Sequence, residues 1–352
     1  MPKKLRIASI PGDGIGKEVM TEGIKVIDAV SSKYGFKCDW EHFEWSCEYY
    51  TRTGKMMPED GLDQLRSHDA VFLGAVGYPG VPDHVSLWGL LLPIRRGFDQ
   101  YANIRPVRLL PGVTSPLAGR KPEDIDIVIV RENTEGEYTQ LGRREHEGTE
   151  EERVIQESVF SRKGVDRIMR YAFELAKNRK SHVTSATKSN GLAVSMPYWD
   201  DRFKLMSAQY PEIRSDQFHI DILTAQFVRN PQWFDVVVGS NLFGDILSDL
   251  GPACAGTVAI APSANLNPER KHPSMFEPVH GSAPDIAGKG IANPIGQIWA
   301  GSMMLDHLGQ PEAAASIMRA IQRVLLEGPT TPDMGGKGST REVGKAIIQA
   351  LD

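Results

Sequence analysis

Residues 5–20 read LRIASIPGDGIGKEVM: an apolar run, a glycine-rich turn and the start of an amphipathic segment. Leu5 to Ile10 has the composition of a short buried strand. Val19, Met20, Ile24, Ile27 and Val30 then recur at helical spacing, and Gly35 supplies a stop. The turn from Gly12 to Gly16 begins like the dinucleotide fingerprint G-x-G-x-x-G, but Lys17 stands where the third glycine is required. A tight turn needing positive φ is therefore the preferred reading over a pyrophosphate cradle. Lys37 to Phe43 alternates loosely like a strand, Leu62 to His68 reads as a short helix and Ala70 to Leu73 as an apolar strand. This β-α-β-α-β order predicts an α/β fold with a mainly parallel sheet.

Further strands are expected at Ile125 to Val130, His182 to Ala186, Phe218 to Ile222 and Phe234 to Gly239. Helices are expected at Val165 to Lys177, Gln297 to Leu308, Pro311 to Glu327 and Thr340 to Ala350. Gly142 to Arg153 carries no apolar residue and reads as a solvated loop or projecting arm. A chain of 352 residues suits one large or two ordinary domains. With 41% hydrophobic and 24% charged residues it is not a disordered chain. Forty Lys and Arg against 45 Asp and Glu leave a net charge of −5, which gives no footprint for nucleic acid or an anionic membrane. The three cysteines lack a CxxC pair, which argues against a disulfide framework or zinc site and for a reducing compartment. The first apolar run is too short for a signal-peptide core, and Pro93 breaks the run Leu87 to Ile94. A cytoplasmic protein is expected.

Four features could carry chemistry. In Asp235 to Pro252 (DVVVGSNLFGDILSDLGP), a strand turns into a short helix that places Asp245 and Asp249 four apart on one face. They are either solvated acids near a helix end or, with no nearby Cys or His, ligands for a hard cation such as Mg2+ or Mn2+. Arg95, Arg105 and Arg131 suit a small di- or tricarboxylate if they converge, and are ordinary surface charges if they do not. Tyr138 ends the stretch RENTEGEY and is a candidate general acid or a packing tyrosine; Lys188 is a candidate base or a surface lysine. Finally, Phe276 to Pro294 (FEPVHGSAPDIAGKGIANP) is a long stretch of small residues that would let backbone approach a flat or phosphorylated ligand.

Together, IPGDGIG, VRENTEGEY, NLFGDILSDL and EPVHGSAPDIAGKGIANP resemble, in order and over the whole chain, the β-decarboxylating 2-hydroxyacid dehydrogenases. That family includes the isocitrate, 3-isopropylmalate, homoisocitrate and tartrate/D-malate dehydrogenases. The resemblance implies an isopropylmalate/isocitrate dehydrogenase-like α/β fold that is not a Rossmann fold, with the active site in a cleft between two domains. One domain would comprise residues 1–103 and 259–352 and the other 104–258, the latter forming a homodimer contact and an arm at about 141–161. It further implies that Arg95, Arg105 and Arg131 hold the substrate carboxylates and that Tyr138 is catalytic. Asp245 and Asp249 would ligate Mn2+ or Mg2+, joined by Asp221 from the other subunit. Lys188 would also cross from the partner as a catalytic residue, with Asn190 near the nicotinamide. His280, Gly281, Ser282, Ala283, Asp285, Ile286 and Asn293 match the adenosine-binding segment. Asp285 and Ile286 stand where NADP-dependent members typically place Lys and Tyr, so NAD is implied, because a carboxylate repels a 2′-phosphate.

The stretch HVSLWGLLLPIR (84–95) bears on the substrate. Trp88 occupies the place of a Glu typical of isopropylmalate enzymes, while Leu91 and Leu92 keep the apolar pair. This pattern, followed by FDQYANIRPVRLLPG, resembles the tartrate/D-malate branch, and an indole would favour a small C3 substituent. The expected activity is oxidation and oxidative decarboxylation of small 2-hydroxy dicarboxylates. An isopropylmalate dehydrogenase is the alternative within the family. A non-catalytic regulatory subunit is the alternative outside catalysis, although Tyr138, Lys188, Asp221, Asp245 and Asp249 are all present.

Overall fold

The computed structural model describes residues 3–352. Strands Lys3–Gly12 (β1), Phe36–His42 (β2), Ala70–Ala75 (β3), Ala102–Arg108 (β4) and Asp126–Glu132 (β5) precede a short hairpin, Gly142–Glu145 (β6) and Arg153–Gln156 (β7). His182–Thr187 (β8), Arg214–His219 (β9), Val236–Gly239 (β10), Pro262–Leu266 (β11) and Ser274–Pro278 (β12) follow. Among the described residues, ten strands form one sheet in the order β2-β1-β3-β12-β11-β4-β5-β10-β8-β9.

The pairing is not uniform. β2, β1, β3 and β12 are mutually parallel, as are β5, β10, β8 and β9. Between these blocks β11 runs antiparallel to both β12 and β4, and β4 antiparallel to β5. The mainly parallel expectation therefore holds for each flank, while the centre is antiparallel.

Helices Gly16–Tyr34, Ile295–His307, Pro311–Glu327 and Thr340–Ala350 pack on one another beside the first flank. Ile295–His307 is buried almost all round, as expected of a helix with apolar residues on every face. Arg162–Lys177 and Asn241–Ala255 cover the second flank. Two sequence expectations are adjusted. FHIDI (218–222) does not stay extended: β9 ends at His219 and a helix runs Ile220–Arg229, burying Leu223 and Phe227 one turn apart. The charged run 142–153 is an exposed antiparallel hairpin closed by Glu145 between Arg143 and Arg153.

The glycine-rich turn behaves as a turn. Gly12 and Gly14 have φ of 74° and 51°, and a Cβ on either would lie 2.0–2.1 Å from the carbonyls of Ala75 and Ser282. No side chain fits there. The close approach lets Ile15 N–H donate to Ser282 O at 2.9 Å, so the turn braces the 276–294 segment.

Candidate active site

The antiparallel centre of the sheet carries a buried polar row. Asn265 on β11 faces Asn103 on β4, which faces Arg131 on β5. Asn103 Nδ2 donates to Asn265 Oδ1 and Ser263 Oγ at 2.9 and 2.8 Å, and its own Oδ1 accepts from Arg105 Nε at 2.9 Å. Asn265 Nδ2 donates to Glu277 Oε1 at 2.8 Å, and the same oxygen receives Arg95 Nη2 at 2.8 Å. Three strands and the helix Leu92–Gly97 thus hold Arg95 and Arg105 through one hydrogen-bonded chain. Such a buried network orients its members only while every link is made.

Helix Asn241–Ala255 approaches from the other side. Ser240 caps it, and Glu137 accepts from Ser240 Oγ at 2.6 Å and Leu242 N–H at 3.0 Å, adding a carboxylate at the positive end of the helix. In the same loop Glu135 accepts from Ser161, the cap of Arg162–Lys177. The acidic residues of RENTEGEY are therefore largely capping groups that fix the loop ending at Tyr138.

Asn241 and Asp245, one turn apart, receive Arg131. Its Nε and Nη2 donate to Asn241 Oδ1 at 3.0 and 2.7 Å, and Nη1 pairs with Asp245 Oδ1. Tyr138 OH donates to Asp245 Oδ2 at 2.5 Å, and the Arg131 guanidinium lies 5.3 Å from the tyrosine ring centre. Arg105 Nη1 donates to Ser248 Oγ at 2.9 Å, with Nη2 4.0 Å from Asp245. Burial pushes the Asp245 carboxyl up, but Arg131, the Tyr138 hydroxyl and Arg105 outweigh it and hold the group below the usual carboxylate range. Burial and the bond to Asp245 push the Tyr138 phenol up to about 12, against the pull of Arg131. Among the described residues Asp249 has no side-chain hydrogen bond. Partial desolvation and the charge of Asp245 raise it, with Arg105 opposing.

The three expected arginines are all buried in one region: Arg131 on Asp245, Arg105 4.0 Å from it, and Arg95 on Glu277 with its charge acting on Asp245 from further off. A cleft of about 170 Å3 beside Arg95, Arg105 and Glu277 is lined also by Leu91, His280 and Gly281. Burial lowers the His280 pKa; Nδ1 faces Gly281 O at 3.0 Å and Nε2 is buried without a partner. Leu92 is buried and outside that lining. Trp88 lies in a π-helical turn, Leu87–Leu91, with the Arg96 guanidinium 4.9 Å from its ring, and Arg96 also donates to the Tyr138 carbonyl at 2.5 Å. Ser282 is buried, Ala283 has φ of 40°, Asp285 is exposed, and Ile286 packs with Ile15 and Val19. Asn293 Nδ2 is held by Asp333 at 3.0 Å. Lys188 and Asp221 pair with each other at 3.0 Å and touch neither Tyr138 nor Asp245 within the chain; Asn190 is exposed beside them. Among the described residues no three His, Cys, Asp or Glu side chains of one chain gather to hold a metal ion.

Asn103, Asn241, Ser248, Asn265 and Glu277 were not anticipated. Three had a signal: Asn103 alternates with Arg105 on one strand face, and Asn241 and Ser248 lie one turn before and one turn beyond Asp245. Glu277 and Asn265 lie far from Arg95 in sequence and left none.

A family model described as isocitrate/isopropylmalate dehydrogenase matches residues 6–347. The chain is 64% identical to the D-malate dehydrogenase [decarboxylating] of Escherichia coli (strain K12), covering 100% of this chain and 99% of that protein. It is 62% identical to the tartrate dehydrogenase/decarboxylase of Pseudomonas putida, covering 98% and 97%. Among solved structures, an isocitrate dehydrogenase from Methylococcus capsulatus superposes with a TM-score of 0.88 at 35% identity, covering 98% of this chain and 99% of the other. A β-decarboxylating dehydrogenase from Thermococcus kodakarensis gives 0.80 at 37% identity, covering 98% and 96%.

Proposed function

Since the chain belongs to the isocitrate/isopropylmalate dehydrogenase family, we propose that it oxidises, and oxidatively decarboxylates, D-malate and tartrate with NAD+ and a divalent cation. The observation that carries this reading is a group of three buried guanidinium groups beside the Asp245–Tyr138 pair: Arg131 bonded to Asp245, Arg105 4.0 Å from it, and Arg95, held by Glu277, near enough for its charge to act on Asp245. Three fixed cations beside an acid donor suit a small dianion with a carboxylate at each end.

The residues fit both absent groups. Asp249 is a carboxylate without a partner among the described residues, made less acidic by partial burial and, to a smaller extent, by the charge of Asp245 one turn away, a situation a hard cation relieves. The segment His280 to Asn293 offers a buried imidazole nitrogen without a partner beside the arginine cleft. When bound, the cation supplies Lewis-acid polarisation of the substrate oxygens and the nicotinamide a hydride acceptor. Arg95, Arg105 and Arg131 orient the carboxylates. Lys188 of a second copy receives the C2 hydroxyl proton as that carbon is oxidised. As CO2 leaves, the electron pair remaining at C3 takes the proton of the Tyr138 hydroxyl, which solvent then replaces. The phenol is protonated at neutral pH, and the Arg131 guanidinium beside its ring is the group that favours release of its proton against burial and Asp245. Trp88, clamped by Arg96, crowds the place of a large C3 substituent.

The assignment of Lys188 and Asp221 to a neighbouring copy draws support from their position. They lie off the single-chain cluster, near helices Ile220–Arg229 and Asn241–Ala255, which pack together and leave Ile222, Leu242 and Ile246 exposed. Exposed aliphatic side chains on paired helices suit a two-fold contact. The two-domain division belongs to the same reading, with its first boundary inside β4. The test is a substrate panel with NAD+ and Mn2+. D-malate and at least one tartrate should turn over well above 3-isopropylmalate and isocitrate. Preference for 3-isopropylmalate would favour the alternative, and no turnover with any substrate would favour a regulatory subunit.

A further inference from the structure

A second cleft, of about 280 Å3, lies where β1, β3 and β12 begin, the end of the sheet away from Glu277 and His280. β12 separates the two, five residues or roughly 16 Å of extended chain. Its walls are unusually one-signed. Lys3, Arg66, Arg270 and Lys271 line it together with His68, His272 and His307, against the single carboxylate of Asp69. That carboxylate already accepts from the Arg6 N–H at 2.7 Å.

The cations are poorly neutralised. Among the described residues Arg270 and Lys271 have no ion-pair partner, and Arg66 shares only the exposed Asp63. Lys3 Nζ donates to the Leu308 carbonyl at 2.9 Å, which offsets the negative end of helix Ile295–His307. The turn bearing the other two is rigidly built. Arg270 takes φ of 55°, and Asn267 Oδ1 accepts from the N–H groups of Lys271 and His272. A positive φ in a non-glycine residue, held by an asparagine clamp, fixes the backbone from which Arg270 and Lys271 extend. Burial, and to a smaller extent the Arg270 charge, push His307 down to about 4, so its ring is neutral and the positive charge of the cleft rests on the lysines and arginines.

We propose that this cleft binds a small polyanion through its phosphoryl groups. Cations reach the volume from β1, from the segment after helix Gly61–Leu65 and from the β11–β12 turn, an enclosing arrangement that suits tetrahedral oxygens rather than a flat carboxylate. The volume is at the lower edge of small-molecule sites, so a short phosphate chain fits and a dinucleotide does not.

The test is calorimetric titration of the full-length protein with tripolyphosphate at low ionic strength, with Arg270→Ala/Lys271→Ala as the comparison. Both side chains are exposed, so the variant should keep its melting temperature and its dehydrogenase turnover. One site per chain is expected, weakened at least about tenfold in the variant and weakened by added salt. ATP in parallel separates the sources: equal affinity identifies the phosphate chain as the whole ligand, and tighter binding identifies a nucleotide. Equal tripolyphosphate affinity in both proteins would place the ion elsewhere and overturn the proposal. So would a tricarboxylate binding as tightly, or no binding at about 10 mM.

Discussion

Asp245 and Asp249 lie one helical turn apart, yet their replacement has different physical consequences. Asp245 neutralises a buried Arg131 and sits beside a buried Arg105. Asp245→Asn should cost about 2–4 kcal/mol of stability, because it leaves buried cations uncompensated. Among the described residues Asp249 makes no ion pair or side-chain hydrogen bond, so Asp249→Asn should leave the melting temperature near wild type while abolishing turnover. Turnover retained in Asp249→Asn would remove the cation role. His307 gives a second test. Its folded pKa of about 4 lies below the ordinary 6.5, so the fold prefers the neutral ring. Stability should be full above pH 6.5 and decline as pH falls toward 4, by on the order of 2 kcal/mol. His307→Gln should flatten that part of a melting-temperature profile, and an unchanged slope would assign the acid loss to other groups.

At the scale of elements, the helix Asn241–Ala255 owes its register to Glu137, which is bonded to its cap and first turn. Glu137→Ala should cost about 1–2 kcal/mol in chemical denaturation and a larger fraction of activity, since Asp245 moves with the helix. Loss of stability with activity intact would mean that the loop places Asp245 by other contacts. The flanking strands and the long helices were legible in the sequence because their apolar periodicity is intact. Thr340–Ala350 matches its expected bounds, and Val165 to Lys177 lies within Arg162–Lys177. The central strands were not. β4 (ANIRPVR) and β11 (PSANL) carry Asn103, Arg105 and Asn265 inward, so the polar network of the site erases the hydrophobic signal of the strands that bear it. Pro106 further disguises β4, since proline is unexpected inside a sheet. The segment Val279 to Asn293 was legible as a long irregular loop, and the cofactor role proposed for it gives a prediction at Asp285. If Asp285 faces the ribose of the bound cofactor, as proposed, its exposed carboxylate should favour NAD+ over NADP+ by at least about tenfold in kcat/KM. Equal use of both cofactors would exclude that role.

At the scale of the whole molecule, the arginine cluster, Tyr138 and Asp245 were legible as a set only through motif resemblance. Convergence depends on pairings such as Arg95 with Glu277, 182 positions apart. If each site is shared, co-expressing inactive Tyr138→Phe and Lys188→Met chains should restore activity. A heterodimer would carry one doubly defective and one intact site, and with random pairing about a quarter of all sites would be intact. Tagged mixed dimers without activity above either parent would sink the shared site. The order of strands also constrains how the chain is made. β3 and β4 are separated in the sheet by β12 and β11, which are synthesised more than 150 residues later. Until Pro278 has left the ribosome, the inner edges of β3 and β4 have no partners, and the β11–β12 hairpin must then join two sets of strands already made, before the helices 295–350 that cover the first of them. A nascent chain stalled before residue 262 would therefore present two open strand edges to its neighbours on a polysome, the condition in which chaperone capture competes with aggregation.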